Sequence, residues 1–172
     1  MNKPKLYIFS GLPGSGKSTL AQELVKATGF IYLRIDTVEQ GLRDLCNFKV
    51  EGEGYRLSYR IAKDNLKLGI SVIADSCNPI ELTRREWNEV AVQSNATCIN
   101  IEVICSNASE HKERIEKREP GIEHLVLPSW EDVKNREYDS WDTDRLLIDT
   151  AGKSINESVK YLFTILGINT IT

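Results

Sequence analysis

Eight residues near the start of the chain restrict its fold more than any other feature. They read Gly11-Leu12-Pro13-Gly14-Ser15-Gly16-Lys17-Ser18, with Thr19 next, and fill every fixed position of G-x-x-x-x-G-K-[ST]. The apolar run Leu6-Tyr7-Ile8-Phe9 precedes them. Gly16 to Thr28 follows as a predicted helix, with Leu20, Leu24 and Ala27 on one face and Gly29 at its end. Strand, glycine-rich turn and helix in that order make a cradle for an anion. The glycines let the backbone turn its N–H groups inward around phosphate oxygens, and the helix start adds its positive end. Lys17 is then placed to reach β and γ phosphates, and Ser18 to set its hydroxyl on Mg²⁺. The competing reading is a glycine-rich turn with a surface lysine; it yields because motif and context agree.

The remainder alternates in the same way. Phe30 to Ile35, Ile70 to Ala74, Cys98 to Cys105 and Leu146 to Ile148 read as strands. Thr37 to Leu45, Tyr55 to Leu68, Pro79 to Val92, Ser109 to Arg118 and Ser154 to Leu166 read as helices, and Ser129 opens another with a box-like cap. Glu119 to Pro128 is irregular. Alternation through the whole length predicts an α/β fold: a five-stranded parallel sheet with helices on both faces and right-handed crossovers. A length of 172 residues suits one domain over 1–172 with a core that needs no staple. The last residues, from Asn169, are expected to fray.

Composition removes several classes of function. Hydrophobic residues at 41% and charged residues at 27% exclude a disordered or fibrous chain. The net charge of −3 leaves no overall positive field for a nucleic-acid backbone. Cys46, Cys77, Cys98 and Cys105 have no CxxC spacing, and His111 and His124 are the only histidines, so the thiols read as buried and reduced rather than zinc-bound. No 18-residue apolar stretch occurs and the first apolar run is too short for a signal-peptide core, so no membrane association and a cytoplasmic location are expected.

Ligands of open α/β sheets bind beyond the carboxyl ends of the strands. Asp36 ends the second predicted strand and Asp75 the third. One carboxylate there can hold Mg²⁺ and the other can accept a proton from an attacking hydroxyl. The alternative for each is a helix N-cap. Arg114 and Arg118, four apart and leading into the irregular stretch, are candidates to close over a γ-phosphate as a lid; the alternative is a solvated face paired with Glu110, Glu113, Glu116 and Glu119. Arg84 and Arg85 are candidates to bind an acceptor anion or to sit on a surface helix. Trp87, Trp130 and Trp141 read as core. Asp149-Thr150-Ala151-Gly152 spells the D-x-x-G of GTPases, but it falls near the end and no N-K-x-D follows. Its small residues instead suit a strand-to-helix turn beside an adenine ring.

With these pieces placed, the chain resembles small P-loop kinases of the nucleoside-monophosphate-kinase-like group over nearly its whole length. It looks most like ATP-dependent kinases allied to polynucleotide kinase, gluconate kinase and zeta toxin domains. The resemblance rests on Gly11 to Thr19, on Asp36 after a strand, on Ile73-Ala74-Asp75-Ser76-Cys77-Asn78 with Arg84 following, and on Arg114 with Arg118. It implies strand order 2-3-1-4-5, a lid over about 114–130, and ATP with Mg²⁺. It further implies catalytic roles for Lys17, Asp36, Arg114 and Arg118, nucleotide contacts from Gly11 to Thr19, and metal contacts from Ser18 and Asp75. The implied reaction is transfer of the γ-phosphoryl group to a hydroxyl. Polynucleotide kinases carry an arginine three residues beyond the catalytic aspartate; this chain has Glu39, which would repel a nucleic-acid phosphate. A small hydroxylated acceptor is therefore expected. The alternatives are a polynucleotide or RNA 5′-hydroxyl kinase, with a basic track through Arg34, Arg43, Arg56 and Arg60, and a non-enzymatic ATP-binding switch.

Overall fold

The computed structural model describes residues 3–168. The expected fraying from Asn169 lies outside the described residues. Five strands form one sheet: β1 (Lys5–Ser10), β2 (Ile31–Arg34), β3 (Val72–Asp75), β4 (Thr97–Ile104) and β5 (Leu146–Asp149). All pairings are parallel and the order is β2-β3-β1-β4-β5, as the resemblance implied. The strand that feeds the glycine-rich turn is thus central. Such a strand is buried on both faces, which is why Leu6-Tyr7-Ile8-Phe9 is a continuous apolar run rather than an alternating one; all four are essentially inaccessible.

The helices are α1 (Lys17–Thr28), α2 (Ile35–Cys46), α3 (Glu53–Lys67), α4 (Glu81–Gln93), α5 (Ala108–Glu116), α6 (Trp130–Lys134) and α7 (Ile155–Leu166). Side chains alternate along each strand, so the sheet builds two cores. Tyr7, Phe9, Ile73, Ile101 and Ile148 meet Leu20, Leu24 and Leu162 of α1 and α7. Leu6, Ile8, Val72 and Ala74 meet Ala62, Leu66 and Trp87 of α3 and α4. Two boundaries differ from the sequence expectation in ways that matter. Helix α2 begins at Ile35, so Asp36 sits in its first turn rather than at a strand end. Helix α5 ends at Glu116, so Arg118 lies just past the Lys117 cap, where its N–H donates to Ile115 O at 3.4 Å. None of the described helices is long and apolar enough to cross a membrane.

Candidate active site

The turn between β1 and α1 is braced from the strands and helices around it. Gly11 N–H donates to Cys77 O at 3.1 Å, and Ser76 N–H donates to Phe9 O at 3.2 Å, which ties the end of β3 to the turn. His111 Nε2 of α5 lies 2.7 Å from Pro13 O, and Thr150 Oγ1 donates to Ser15 O at 2.9 Å. Two glycines are required sterically. At Gly11 (φ 140°) a Cβ would stand 2.1 Å from Val103 O; at Gly14 (φ 80°) it would stand 2.7 Å from Ile115 Cδ1.

Helix α1 starts without a side-chain cap and with no acidic residue in its first turn. By contrast, Asn107, Ser129 and Ser154 cap α5, α6 and α7. The first N–H groups of α1 therefore keep their donor capacity and their positive end for an anion. Lys17 opens this helix, is buried to 6% exposure and makes no ion pair among the described residues. A nearly buried ammonium without a partner is costly unless an anion joins it.

Two clefts flank the turn. One, of about 390 Å³, is lined by Gly16, Ser18, Arg114, Thr150, Lys153 and Ser158 among others. The other, of about 430 Å³, is lined by Asp36, Glu39, Arg43, Cys77, His124 and Arg136 among others. Lys17 and Arg118 line both. A group bridging the two clefts would meet one cation from the glycine-rich turn and one from the segment after α5.

The expected site residues separate into distinct environments. Asp36 opens into the second cleft, and the cap position of its helix is Arg34, so the N-cap alternative does not describe it. Asp75 precedes no helix directly, since α4 begins at Glu81. It is 2% exposed, and its Oδ2 accepts the Tyr32 hydroxyl at 2.7 Å. Burial, and then the neighbouring Asp75 carboxylate, push the Tyr32 hydroxyl well above its ordinary pKa, which keeps it a donor.

Arg114 does not reach toward Asp36. Its guanidinium donates to Thr150 Oγ1 at 2.7 Å, to Thr150 O at 3.0 Å and to Glu110, which in turn accepts the Gly152 N–H at 2.9 Å. It forms a wall of the first cleft. The Arg118 guanidinium makes no hydrogen bond or ion pair among the described residues. The two arginines are therefore not equivalent, although their spacing made them look so.

Glu39 is matched rather than repulsive: Arg43, one turn on, sits 3.2 Å from its carboxylate. The Glu39 stem is wedged against α3, where a Cβ at Gly54 would stand 2.1 Å from Glu39 Cγ. Burial raises its pKa, with the Arg43 charge acting in the opposite direction. Arg84 is a staple. At 2% exposure it donates to the carbonyls of Asn78, Pro79, Asp139 and Ser140, with its guanidinium over the rings of Tyr138 and Trp141. It is not an acceptor ligand. Trp87 is core at 0% exposure, whereas Trp130 packs edge-on against His111 and Trp141 carries Arg84 on its face.

The expected Mg²⁺ donors can be tested against this geometry. Asp75 shares its sheet face with Phe9 and Ile73, the face that α1 covers, and Ser18 lies in the first turn of α1. The second carboxylate oxygen, Asp75 Oδ1, is buried with no partner. Mg²⁺ keeps several waters and takes phosphate oxygens, so one hydroxyl and one carboxylate from the protein are a fitting set. Asp75 itself lines neither cleft. No cluster of three or more His, Cys, Asp or Glu that would cage a metal alone occurs among the described residues.

His111, His124, Thr150 and Arg136 were not marked by the sequence as parts of the site, apart from the turn that contains Thr150. Their only sequence signals are their chemistry and, for Thr150, the small-residue turn after β5. Proximity comes from chain segments about one hundred residues apart.

The fold agrees with the comparisons to known proteins. The AAA domain family model matches residues 6–136, and the chain belongs to that family. A candidate kinase from Chloroflexus aurantiacus is 22% identical over 97% of this chain and 98% of that one, with a TM-score of 0.70. The Mycobacterium tuberculosis APS kinase CysC, solved with AMPPNP and APS, is 17% identical over 97% and 99%, with a TM-score of 0.70. A gluconokinase from Sinorhizobium meliloti is 15% identical over 97% and 94%, with a TM-score of 0.67. At these identities the likeness is one of fold, that of the P-loop kinases. No curated protein matches the sequence.

Proposed function

We propose that the protein is an ATP-dependent kinase that transfers the γ-phosphoryl group to a hydroxyl of a small molecule. The observation that carries this reading is the pair of clefts meeting at Lys17 and Arg118, with Asp36 in the cleft away from Thr150. The first cleft takes the nucleotide. The N–H groups of Gly11 to Thr19 and the α1 terminus hold the phosphates, and the Arg114–Thr150 wall lies beside the base. Ser18 and Asp75 would hold Mg²⁺, which would supply positive charge against the β and γ phosphates.

Asp36 accepts the proton of the acceptor hydroxyl as its oxygen forms a bond to the γ-phosphorus and the bond to the ADP oxygen breaks. Lys17 and Arg118 face the phosphoryl group from both sides, where charge spreads over its oxygens in the transition state. The segment 114–130 acts as the lid, carrying Arg118 over the junction and excluding water that would otherwise hydrolyse ATP.

Similar folds occur in a gluconokinase and an APS kinase, which supports a small acceptor. A polynucleotide acceptor is less favoured by the arginine positions. Arg43 lies in the Asp36 cleft, Arg34 Nη1 faces Gly121, and Arg56 and Arg60 line a separate crevice between α3 and α4. They do not form one track. The test is transfer from γ-labelled ATP to panels of nucleosides, sugars, hydroxy acids, antibiotics and oligonucleotides. Labelled product from a small hydroxylated compound is expected. Tight nucleotide binding with no product from any panel would favour an ATP-dependent switch instead.

A further inference from the structure

We infer that the Asp36 cleft contains an anion-reading subsite built on Arg136, and that the phosphoryl acceptor is a small hydroxylated anion. This deepens the kinase reading above and rests on it. The argument begins with charge. The whole chain carries −3, yet Lys17, Arg43, Arg118 and Arg136 line this one cleft against two carboxylates, Asp36 and Glu39. Two of these six charges pair with each other, and two more are assigned to the nucleotide phosphates. Lys17 and Arg118 also line the nucleotide cleft and face the phosphates. Arg43 and Glu39 pair with each other at 3.2 Å.

Asp36 and Arg136 remain. They line the same cleft but form no ion pair with one another, and neither has another ion-pair partner among the described residues. An unpaired carboxylate and an unpaired guanidinium, held apart in one cleft, match a ligand with a hydroxyl at one end and an anionic group at the other. The guanidinium fork suits a carboxylate, sulfate or phosphate, which it can grip with two parallel hydrogen bonds.

Arg136 is also presented from a fixed support. It follows α6, and its N–H donates to Val133 O at 3.3 Å. Helix α6 is anchored by Val133 at 1% exposure and by Trp130 packed edge-on against His111, the same histidine that braces Pro13. On that short helix Asp132 feels the Arg136 charge but forms no ion pair with it, its carboxylate being held in the capping box by the N–H and hydroxyl of Ser129. Arg136 further lines an outer hollow beside Val126, Leu127 and Pro128, so it stands where the cleft opens outward. The acceptor would enter with its hydroxyl toward Asp36 and its anion toward this rim.

The test separates the subsite from the reaction. The full chain, loaded with AMPPNP and Mg²⁺ so that the phosphate-facing cations are occupied, is titrated with sodium sulfate by calorimetry. Saturable binding is expected, weakened about tenfold or more by Arg136→Gln. In parallel, γ-labelled ATP is offered with matched acceptors: hydroxy acids against their amides, and monophosphorylated polyols against the free polyols. The anionic member should be preferred by roughly 10²-fold in kcat/KM. Arg136→Gln should raise the acceptor KM and leave the KM for ATP unchanged.

Absent sulfate binding, or binding that Arg136→Gln retains in full, overturns the subsite. Equal use of neutral and anionic acceptors, or a preference for an oligonucleotide end, overturns the assigned substrate class. Sulfate binding that depends on Arg136, with no transfer to any acceptor, keeps the subsite and overturns the kinase reading alone.

Discussion

The two clefts that meet at Lys17 are built by different means. The side we assign to the nucleotide is tied together by the protein's own hydrogen bonds. Thr150 joins Ser15 O, Ile104 O and Arg114; His111 holds Pro13 O; Glu110 holds the Gly152 N–H. Its geometry follows from hydrogen bonds among β4, β5, α5 and the glycine-rich turn. The side we assign to the acceptor is lined instead by one face of α2 and by the irregular stretch between α5 and α6, where His124 has a left-handed φ of 61° and Val126 is 88% exposed. A preformed phosphate cradle beside a loosely tethered wall suits a protein that meets one invariant ligand and one that must be admitted and then covered.

The strongest way to break this comparison is at the shared cation. Lys17→Ala should lower turnover on the true acceptor by about three orders of magnitude or more, since it removes charge from the transferring group. Circular dichroism and the melting temperature should remain near those of the parent. Turnover close to the parent value would place the phosphates elsewhere.

Next comes Asp36→Asn, which separates the clefts. Transfer should fall by roughly 10²–10⁴-fold, the usual worth of a positioned base, while ATP affinity by calorimetry stays within about twofold. Parallel loss of both would make Asp36 a structural or metal-holding group and merge the two clefts into one.

The paired arginines give a smaller and sharper contrast. Arg118→Ala should reduce kcat by about 10²-fold with little change in the KM for ATP, because its guanidinium has no other partner. Arg114→Ala should act mainly on the KM for ATP, by about tenfold. It should also lower the melting temperature by a few degrees, since the Thr150 carbonyl and Glu110 lose a charged partner. Interchanged effects would reverse the assignment of the arginines to base and phosphoryl group.

The smallest effect is dynamic. Hydrogen exchange should be slow at the backbone N–H groups of Gly11, Ser15 and Thr150, which donate to Cys77, Leu12 and Ile104. It should be fast from 119 to 128, apart from Leu125, whose N–H reaches Ile122 O at 3.3 Å. Uniform protection across both would remove the distinction between a fixed and a mobile wall.

Much of the donor side was legible from residue order because its causes are local. A glycine at φ 140° and a lysine opening a helix are consequences of neighbours in sequence. The apolar runs and helical faces predicted five parallel strands with helices on both sides, and their alternation held throughout. The boundaries near Asp36 and Arg118 slipped by one or two residues, because helix ends depend on caps and contacts that periodicity does not report. Arg84 misled for another reason. A charge after Asp75 looks available to a ligand, but four carbonyls and two aromatic rings enclose it.

The sequence by itself determined the phosphate cradle, the α/β alternation and the identity of Asp36 as an acid beyond the second strand, since each follows from spacing over a few residues. Only the tertiary structure decided that Arg114 faces Thr150 while Arg118 faces both clefts, that Glu39 is answered by Arg43 and packed against Gly54, and that Arg136 lines the same cleft as Asp36. Those relations join segments far apart in the chain. They are fixed by how the helices pack on the sheet and where the segment after α5 crosses it, and no local pattern of residues encodes that placement.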